Sequence, residues 1–256
     1  MEAYTDFATV YDTFMDDTPY TEWCEFIHGL LKKYKIETGI IADLGCGTGT
    51  LTQKLAQKGY DMIGIDYSQE MLNIAMEKKA KDPNNILYLH QDMRELELFG
   101  TVAAMISVCD SINYLLEEED LTETFRKVNN YLDPQGLFLF DFNTDYKYRE
   151  IIGDTVIAEN REGCSFIWEN YYDEEEQLNE YDITIFIQET QSDLYRKFEE
   201  THFQKGYTLE IIKSCLKSAG MIFVEAIDAD THKAVTQKSE RIYVVAKENI
   251  PGKHGA

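Results

Sequence analysis

Hydrophobic positions change their period along the chain, and the changes divide it into regions. In residues 1–35, Tyr4, Phe7, Tyr11 and Phe14 fall at i, i+3, i+7 and i+10, one face of a helix, followed by Asp16-Asp-Thr-Pro19. Residues 36–142 alternate short apolar runs with helical stretches. Gly39 to Asp43 predicts a strand running into a glycine-rich turn, and Thr50 to Lys58 a helix with Leu51 and Leu55 on one face. Further strands are predicted at Asp61–Ile65, Ile86–Leu89, Val102–Val108 and Leu137–Phe140. Between them, Ser68 caps a helix through Lys79 that carries Met71, Leu72, Ala75 and Met76, and Leu121–Leu132 forms another, stopped by Asp133-Pro-Gln-Gly136. Apolar runs without alternation suit strands buried on both faces. Strand–helix alternation with such connections predicts right-handed crossovers and a mostly parallel sheet covered by helices on both sides.

Residues 143–206 break that rhythm. Tyr181, Ile183, Ile185 and Ile187 alternate with Asp182, Thr184, Phe186 and Gln188, the period of a half-buried antiparallel strand. Cys164–Tyr172 and Tyr195–Phe203 read as its partners, with Asp173-Glu-Glu-Glu176 as a turn. A helix from Thr208 to Ala219, ended by Gly220, and strands at Ile222–Ile227 and Arg241–Ala246 then close the main sheet. The organisation expected is an N-terminal helical lid (1–35), an α/β core (36–142 and 207–248), an antiparallel cap (143–206) and a tail (249–256).

Charge narrows the functional classes. Lys and Arg number 24 against 47 Asp and Glu, a formal net charge of −23. That argues against a grip on nucleic-acid phosphates, which takes clustered cations. No apolar run approaches a membrane span, and the acidic N-terminus lacks a signal-peptide pattern. Five cysteines, odd in number and widely spaced, fit unpaired thiols in the cytoplasm, and no His or Cys spacing suggests a metal site. The charge favours solubility and leaves the oligomeric state open.

Ile40-Ile-Ala-Asp-Leu-Gly-Cys-Gly-Thr-Gly-Thr50 carries the chemistry. Gly45, Gly47 and Gly49 lie between a strand and a helix N-terminus, where glycines let a ligand lie against the backbone. A dinucleotide fingerprint would place its third glycine at position 50, which is threonine. Asp43, before the first glycine, is awkward beside a pyrophosphate and suits a cationic amine. Asp66 ends the second strand, where such folds hold ribose hydroxyls.

Asp43-Leu-Gly-Cys-Gly-Thr-Gly49 followed by Gly64-Ile-Asp-Tyr-Ser68 resembles the class I S-adenosylmethionine-dependent methyltransferases. The resemblance implies a Rossmann-like, mostly parallel seven-stranded sheet, with S-adenosyl-L-methionine as cofactor and S-adenosyl-L-homocysteine as product. It implies Gly45, Cys46 and Gly47 under the methionine part of the cofactor, with Gly49 completing the loop. Asp43 falls near the amino group, Asp66 on the ribose and Tyr67 against the adenine. Asp92 and Met93 follow the third strand, where the family places an acid on the adenine amino group and an apolar neighbour on the ring. The alternative for Asp92 is to cap the helix that follows at Arg94.

The segment Cys109-Asp-Ser-Ile-Asn-Tyr114 ends the fourth strand, which the resemblance implies is beside the sulfonium and the substrate. Cys109 is expected as a small wall residue, and Asp110 and Asn113 as catalytic groups or turn formers. The N-terminal aromatics resemble the lid of small-molecule methyltransferases, which implies Tyr11, and Tyr4 with it, at the cofactor or substrate. The cap resembles that of glycine N-methyltransferase-like enzymes; Trp168, Tyr171, Tyr172, Tyr195, His202 and Phe203 are its candidate lining, with His202 a candidate general base. The acidic runs Glu117–Asp120 and Asp173–Glu176 read as solvated faces. The function expected is methyl transfer to a small-molecule nucleophile by in-line displacement. Methylation of a protein or other macromolecule, an NAD-dependent oxidoreductase and a non-catalytic cofactor-binding module are the alternatives.

Overall fold

The computed structural model describes residues 7–81, 84, 86–189 and 192–250, so Tyr4 and most of the tail lie outside the described residues. In chain order the elements are α1 (Ala8–Phe14), α2 (Tyr20–Lys33), β1 (Ile40–Leu44), α3 (Thr50–Gln57), β2 (Asp61–Asp66), α4 (Gln69–Lys81), β3 (Ile86–His90), β4 (Val102–Ser107), α5 (Glu118–Tyr131) and β5 (Leu132–Asn143). There follow β6 (Val156–Arg161), β7 (Cys164–Asp173), β8 (Leu178–Gln188), β9 (Tyr195–Lys205), α6 (Leu209–Ser218), β10 (Ile222–Asp228) and β11 (Arg241–Lys247).

Seven strands form one sheet in the order β10-β11-β5-β4-β1-β2-β3. The pairs β1–β2, β1–β4, β2–β3 and β4–β5 are parallel, and β11 runs antiparallel between β5 and β10. Successive residues serve opposite faces. Phe138, Phe140 and Phe142 of β5 meet Leu121, Phe125 and Val128 of α5 and Ile212 and Leu216 of α6. Leu137 and Leu139 face the other way, with Ile41, Ile106 and Val245, toward Ile27 and Leu31 of α2 and Leu55 of α3. Burial on both faces is why these strands read as unbroken apolar runs.

Local signals set the helix ends. Ser68 accepts from the Met71 N–H (3.2 Å) and Thr208 from the Ile211 N–H (3.3 Å), N-caps that start α4 and α6. Gly220, at φ +78°, follows α6. One reading needs correction, and the acidic run at 117–120 is solvated as expected, with Glu117, Glu118 and Glu119 exposed. Met76 is exposed while Met71, Leu72 and Ala75 are buried, because five residues at 3.6 per turn carry it about 140° round from Met71. Glu118, Glu119 and Asp120 form the first turn of α5, where negative charge meets the positive end of the helix dipole.

Strands β6–β9 make a separate antiparallel sheet in chain order; β6 has no counterpart in the sequence reading. Phe7, Val10 and Phe14 pack on Cys164, Phe166, Tyr181, Ile183 and Ile185 of that sheet. Asp12 of the same helix accepts from Thr48 Oγ1 (2.7 Å) and pairs with Lys78 Nζ (2.5 Å). Helix α1 therefore bridges the cap sheet and the core, over the carboxyl ends of β1 and β2.

Candidate active site

A cavity of about 760 Å³ opens at the carboxyl ends of β1–β4. The loop after β1 forms its floor. The Gly45 and Cys46 N–H groups donate to the Ile65 carbonyl (2.8 and 3.0 Å), so the loop turns back toward β2. Gly45 (φ +71°) and Gly47 (φ +55°) occupy the left-handed region. A Cβ on Gly45 would lie 2.4 Å from Ser111 Oγ, whereas nothing lies within 4 Å of one on Gly47. The second position leaves open space that a ligand can fill.

Two carboxylates lie behind this loop. Asp66 accepts from the Gly47 N–H (2.7 Å) and the Ser68 N–H (2.8 Å). Burial raises its pKa, opposed by those backbone hydrogen bonds; a carboxylate has about four lone-pair sites, so acceptor capacity remains for hydroxyls. Asp43 is buried and accepts from Thr52 Oγ1 (2.5 Å). Burial pushes its carboxyl up to about 7, against the Thr52 hydrogen bond and with the help of the Asp66 charge. A cationic group arriving beside it restores the ionised form.

Tyr11, Asp43, Gly45, Cys46, Gly47, Asp66, Tyr67, Asp92, Met93 and Cys109 all line this one cavity. Asp92 also caps the turn after β3, accepting from the Arg94 N–H (2.9 Å) and pairing with the Arg94 side chain (2.6 Å). Burial works to raise its pKa, and Arg94 overcomes that and holds it below the ordinary carboxylate range. Burial pushes the Cys109 thiol up to about 12, with the Asp110 charge adding to it, and pushes Cys46 well up too. Neither thiol is a nucleophile at neutral pH.

Gly49, Asp110, Asn113 and His202 are not among the lining residues. Gly49 (φ +73°) precedes α3 against Tyr88 and Ala75. Asp110 accepts from Gln204 Nε2 (2.6 Å), and burial raises its pKa, against the nearby Lys147 and Arg241 charges. Asn113 is fully buried; its amide donates to the Asn143 and Lys205 carbonyls (2.9 and 2.7 Å) and its oxygen accepts from the Asn143 N–H (2.8 Å). It ties the turn after β4 to β5 and to the last strand of the cap. His202 is buried, stacked on Tyr181 with ring centroids 5.0 Å apart. Its Nδ1 is 3.0 Å from the Tyr114 hydroxyl and its Nε2 is 3.1 Å from Glu200 Oε2. None of the cap aromatics lines the cavity. Trp168 stacks on Tyr181 (4.3 Å), Tyr172 is buried, and Tyr171, Tyr195 and Phe203 face solvent.

The lining instead includes the aromatic rings of Tyr11, Tyr20, Trp23 and Tyr114, together with Cys109. The Tyr11 side chain reaches both Tyr20 and Cys109. Tyr20 and Trp23, one turn apart at the start of α2, escape a sequence reading because that face also packs on the core. Their only local signal is an aromatic pair immediately after Pro19.

The residues therefore fit S-adenosylmethionine. An open backbone cradle, a carboxylate with spare acceptor capacity at the end of β2, and a buried carboxyl that a cation would ionise face one cavity. Comparison with known proteins agrees. A methyltransferase-domain family matches residues 41–136. The putative methyltransferase YqeM of Bacillus subtilis (strain 168) is 36% identical over 247 residues, 96% of this chain and 97% of that one. A dTDP-3-amino-3,4,6-trideoxy-alpha-D-glucopyranose N,N-dimethyltransferase of Streptomyces venezuelae is 30% identical over 139 residues, 53% of this chain and 56% of its own length. Among solved structures, an S-adenosylmethionine-dependent methyltransferase from Clostridium acetobutylicum ATCC 824 superposes with a TM-score of 0.86 at 28% identity, covering 97% of this chain and 100% of that one. The glycine loop, the strand order and a full-length relative converge, and the chain belongs to the class I S-adenosylmethionine-dependent methyltransferases.

Proposed function

We propose that this methyltransferase acts on the amino group of a small molecule, and that the Tyr114 hydroxyl receives the proton the acceptor gives up. The observation that carries this reading is the chain Tyr114–His202–Glu200, which runs from the cavity wall to a buried carboxylate through contacts of 3.0 and 3.1 Å. With Glu200 ionised, Nε2 of His202 carries the ring proton and Nδ1 accepts from Tyr114. The Tyr114 oxygen then takes a proton from the acceptor nitrogen as its own passes to Nδ1, and Glu200 stabilises the imidazolium. Rings at the acceptor end also suit a developing ammonium. The Streptomyces venezuelae relative is named for dimethylating an amino sugar nucleotide, which supports an amine acceptor.

When bound, S-adenosylmethionine supplies a methyl group on a positively charged sulfur, which leaves with the bonding pair as a neutral thioether. In this reading Asp43 faces the cofactor's amino group, Gly45 to Gly47 its methionine part and Asp66 its ribose. Tyr67, Asp92 and Met93 surround the adenine, and Tyr11 contacts the carboxylate. Asp110 and Asn113 hold the acceptor-side turn. The chain contributes position, orientation and exclusion of water.

The test is methyl transfer from radiolabelled S-adenosylmethionine to a panel of amino sugar nucleotides, amino acids and simple amines, run beside size-fractionated cell extract. Label in the small-molecule fraction, carried on nitrogen, is the expected result. Label confined to protein or nucleic acid overturns the reading. With a working acceptor, Tyr114→Phe is expected to lower kcat by about 10²-fold, within the usual range for one acid–base group, and to leave cofactor affinity unchanged.

A further inference from the structure

The backbone where β4 ends carries two consecutive non-glycine residues in the left-handed region, Cys109 at φ +70° and Asp110 at φ +53°. An L side chain is disfavoured there, Cys more than Asp, and such a conformation persists only where its surroundings hold it. Both N–H groups of this turn point at one carboxylate. Cys109 N–H donates to Asp141 Oδ2 (3.2 Å) and Asp110 N–H to Asp141 Oδ1 (2.8 Å). Successive N–H groups converging on an anion form a nest.

Asp141 itself is fully buried on β5. Its charge is met by Arg241 on the neighbouring strand β11, whose Nε donates to Oδ2 (2.6 Å) and whose terminal nitrogen adds a second contact. Burial works against the Arg241 charge, and the Asp141 carboxylate overcomes it and raises the guanidinium's pKa. The same guanidinium lies 4.4 Å from the Trp23 ring centroid and 5.7 Å from that of Tyr243. Cys109 and Trp23 both line the cavity.

We propose that the Asp141–Arg241 pair is the positioning element of the methyl-transfer end. Its carboxylate holds the Cys109–Asp110 turn in a strained conformation that sets one wall, and its guanidinium supports Trp23 in the adjoining wall. Neither residue lines the cavity. Both act through the residues they hold, whatever the acceptor is. The pair also explains why a buried ion pair sits here: an apolar replacement would leave two buried N–H groups without an acceptor.

The experiment is a double-mutant cycle of Asp141→Asn and Cys109→Gly, read by calorimetric titration with S-adenosylmethionine and S-adenosylhomocysteine well below the unfolding temperature. An Asn oxygen can serve only part of the set now held by the carboxylate, and glycine adopts the left-handed conformation without strain. Asp141→Asn is expected to weaken both ligands at least tenfold in the wild-type background, and Cys109→Gly to recover most of that loss. A purely structural role predicts a lower Tm with unchanged affinity. That outcome, or an equal loss in both backgrounds, overturns the proposal. Should Asp141→Asn fail to fold, amide hydrogen exchange of the wild-type protein decides. The Cys109 and Asp110 amides are expected to be as protected as those of β4, and exchange at the rate of an open loop refutes the clamp.

Discussion

Asp43 gives the sharpest quantitative test, because the same side chain opposes folding and assists binding. Its carboxyl is pushed from 3.8 up to about 7, chiefly by burial. At about 1.36 kcal/mol per tenfold change, this penalises the ionised form by about 4 kcal/mol. An acid raised in the folded state binds its proton more tightly there than in the unfolded chain. Its contribution is therefore most favourable below the unfolded value and is lost as pH rises through the folded value. Replacing it by Asn keeps the shape and an oxygen for Thr52 Oγ1, which now donates over 2.5 Å, and removes the titration.

Without cofactor, Asp43→Asn is thus expected to be more stable than wild type by up to about 4 kcal/mol at pH 8. At pH 5 the folded carboxyl is protonated while the unfolded one is still ionised, and about 1.6 kcal/mol of the difference remains. Below about pH 3.5 the difference vanishes. For a chain of this size the pH 8 value corresponds to a Tm rise on the order of 10 °C. Urea unfolding of cofactor-free protein from pH 5 to 8 measures it directly. Binding should move the other way, with the variant losing affinity for S-adenosylmethionine and wild-type affinity falling as pH drops below about 7, at most tenfold per pH unit. A variant no more stable than wild type at pH 8, or a difference that grows toward acid, refutes the reasoning.

Other perturbations test separate parts of the site. Gly45→Ala places a methyl 2.4 Å from Ser111 Oγ at a φ of +71°, so S-adenosylhomocysteine affinity should fall at least tenfold by calorimetry, with partial recovery in the Gly45→Ala, Ser111→Gly double variant. Asp66→Ala removes the acceptor of two backbone N–H groups as well as the proposed ribose ligand; at about 1.5–3 kcal/mol per charged hydrogen bond, binding should weaken by 10²-fold or more. Lys78→Ala removes the ion pair from the core to Asp12 of the lid helix and leaves the Thr48–Asp12 hydrogen bond as its remaining tie there. Because the pair is partly exposed, the Tm should move little, while cofactor dissociation in stopped flow should speed up severalfold.

What could be read from the sequence follows how local each feature is. The cofactor half was legible because strand, glycine loop and helix are contiguous from Ile40 to Gln57, and Asp66 follows at the end of the next strand. The burial that raises the Asp43 pKa was not, since it depends on the packed sheet around it. Strand β6 escaped because Val156–Arg161 is an edge strand with mostly exposed positions, so no alternation marks it. Assigning the cap aromatics to the cavity failed for a geometric reason: the inward face of β7 and β8 is covered by Phe7, Val10 and Phe14 of the lid. His202 drew notice because it lies where the cap returns to the sheet, but its link to the cavity runs through Tyr114, which sequence distance hides.

The lid and the acid–base chain meet at one carboxylate. Glu200 Oε2 contacts His202 Nε2, and Glu200 Oε1 accepts from the Phe7 N–H at the entry to α1 (3.0 Å). That N–H gives one oxygen of a buried carboxylate a partner. The same helix carries Tyr11 into the cavity wall and Asp12 onto Thr48. In the proposed function, α1 and the Phe7 that precedes it thus reach the glycine loop through Asp12, give the Tyr11 ring to the cavity wall and hydrogen-bond Glu200 at the far end of the proposed proton chain. Lifting it would remove all three together. In that proposal, the proton chain is then complete only with α1 in place over the cavity and water excluded from it.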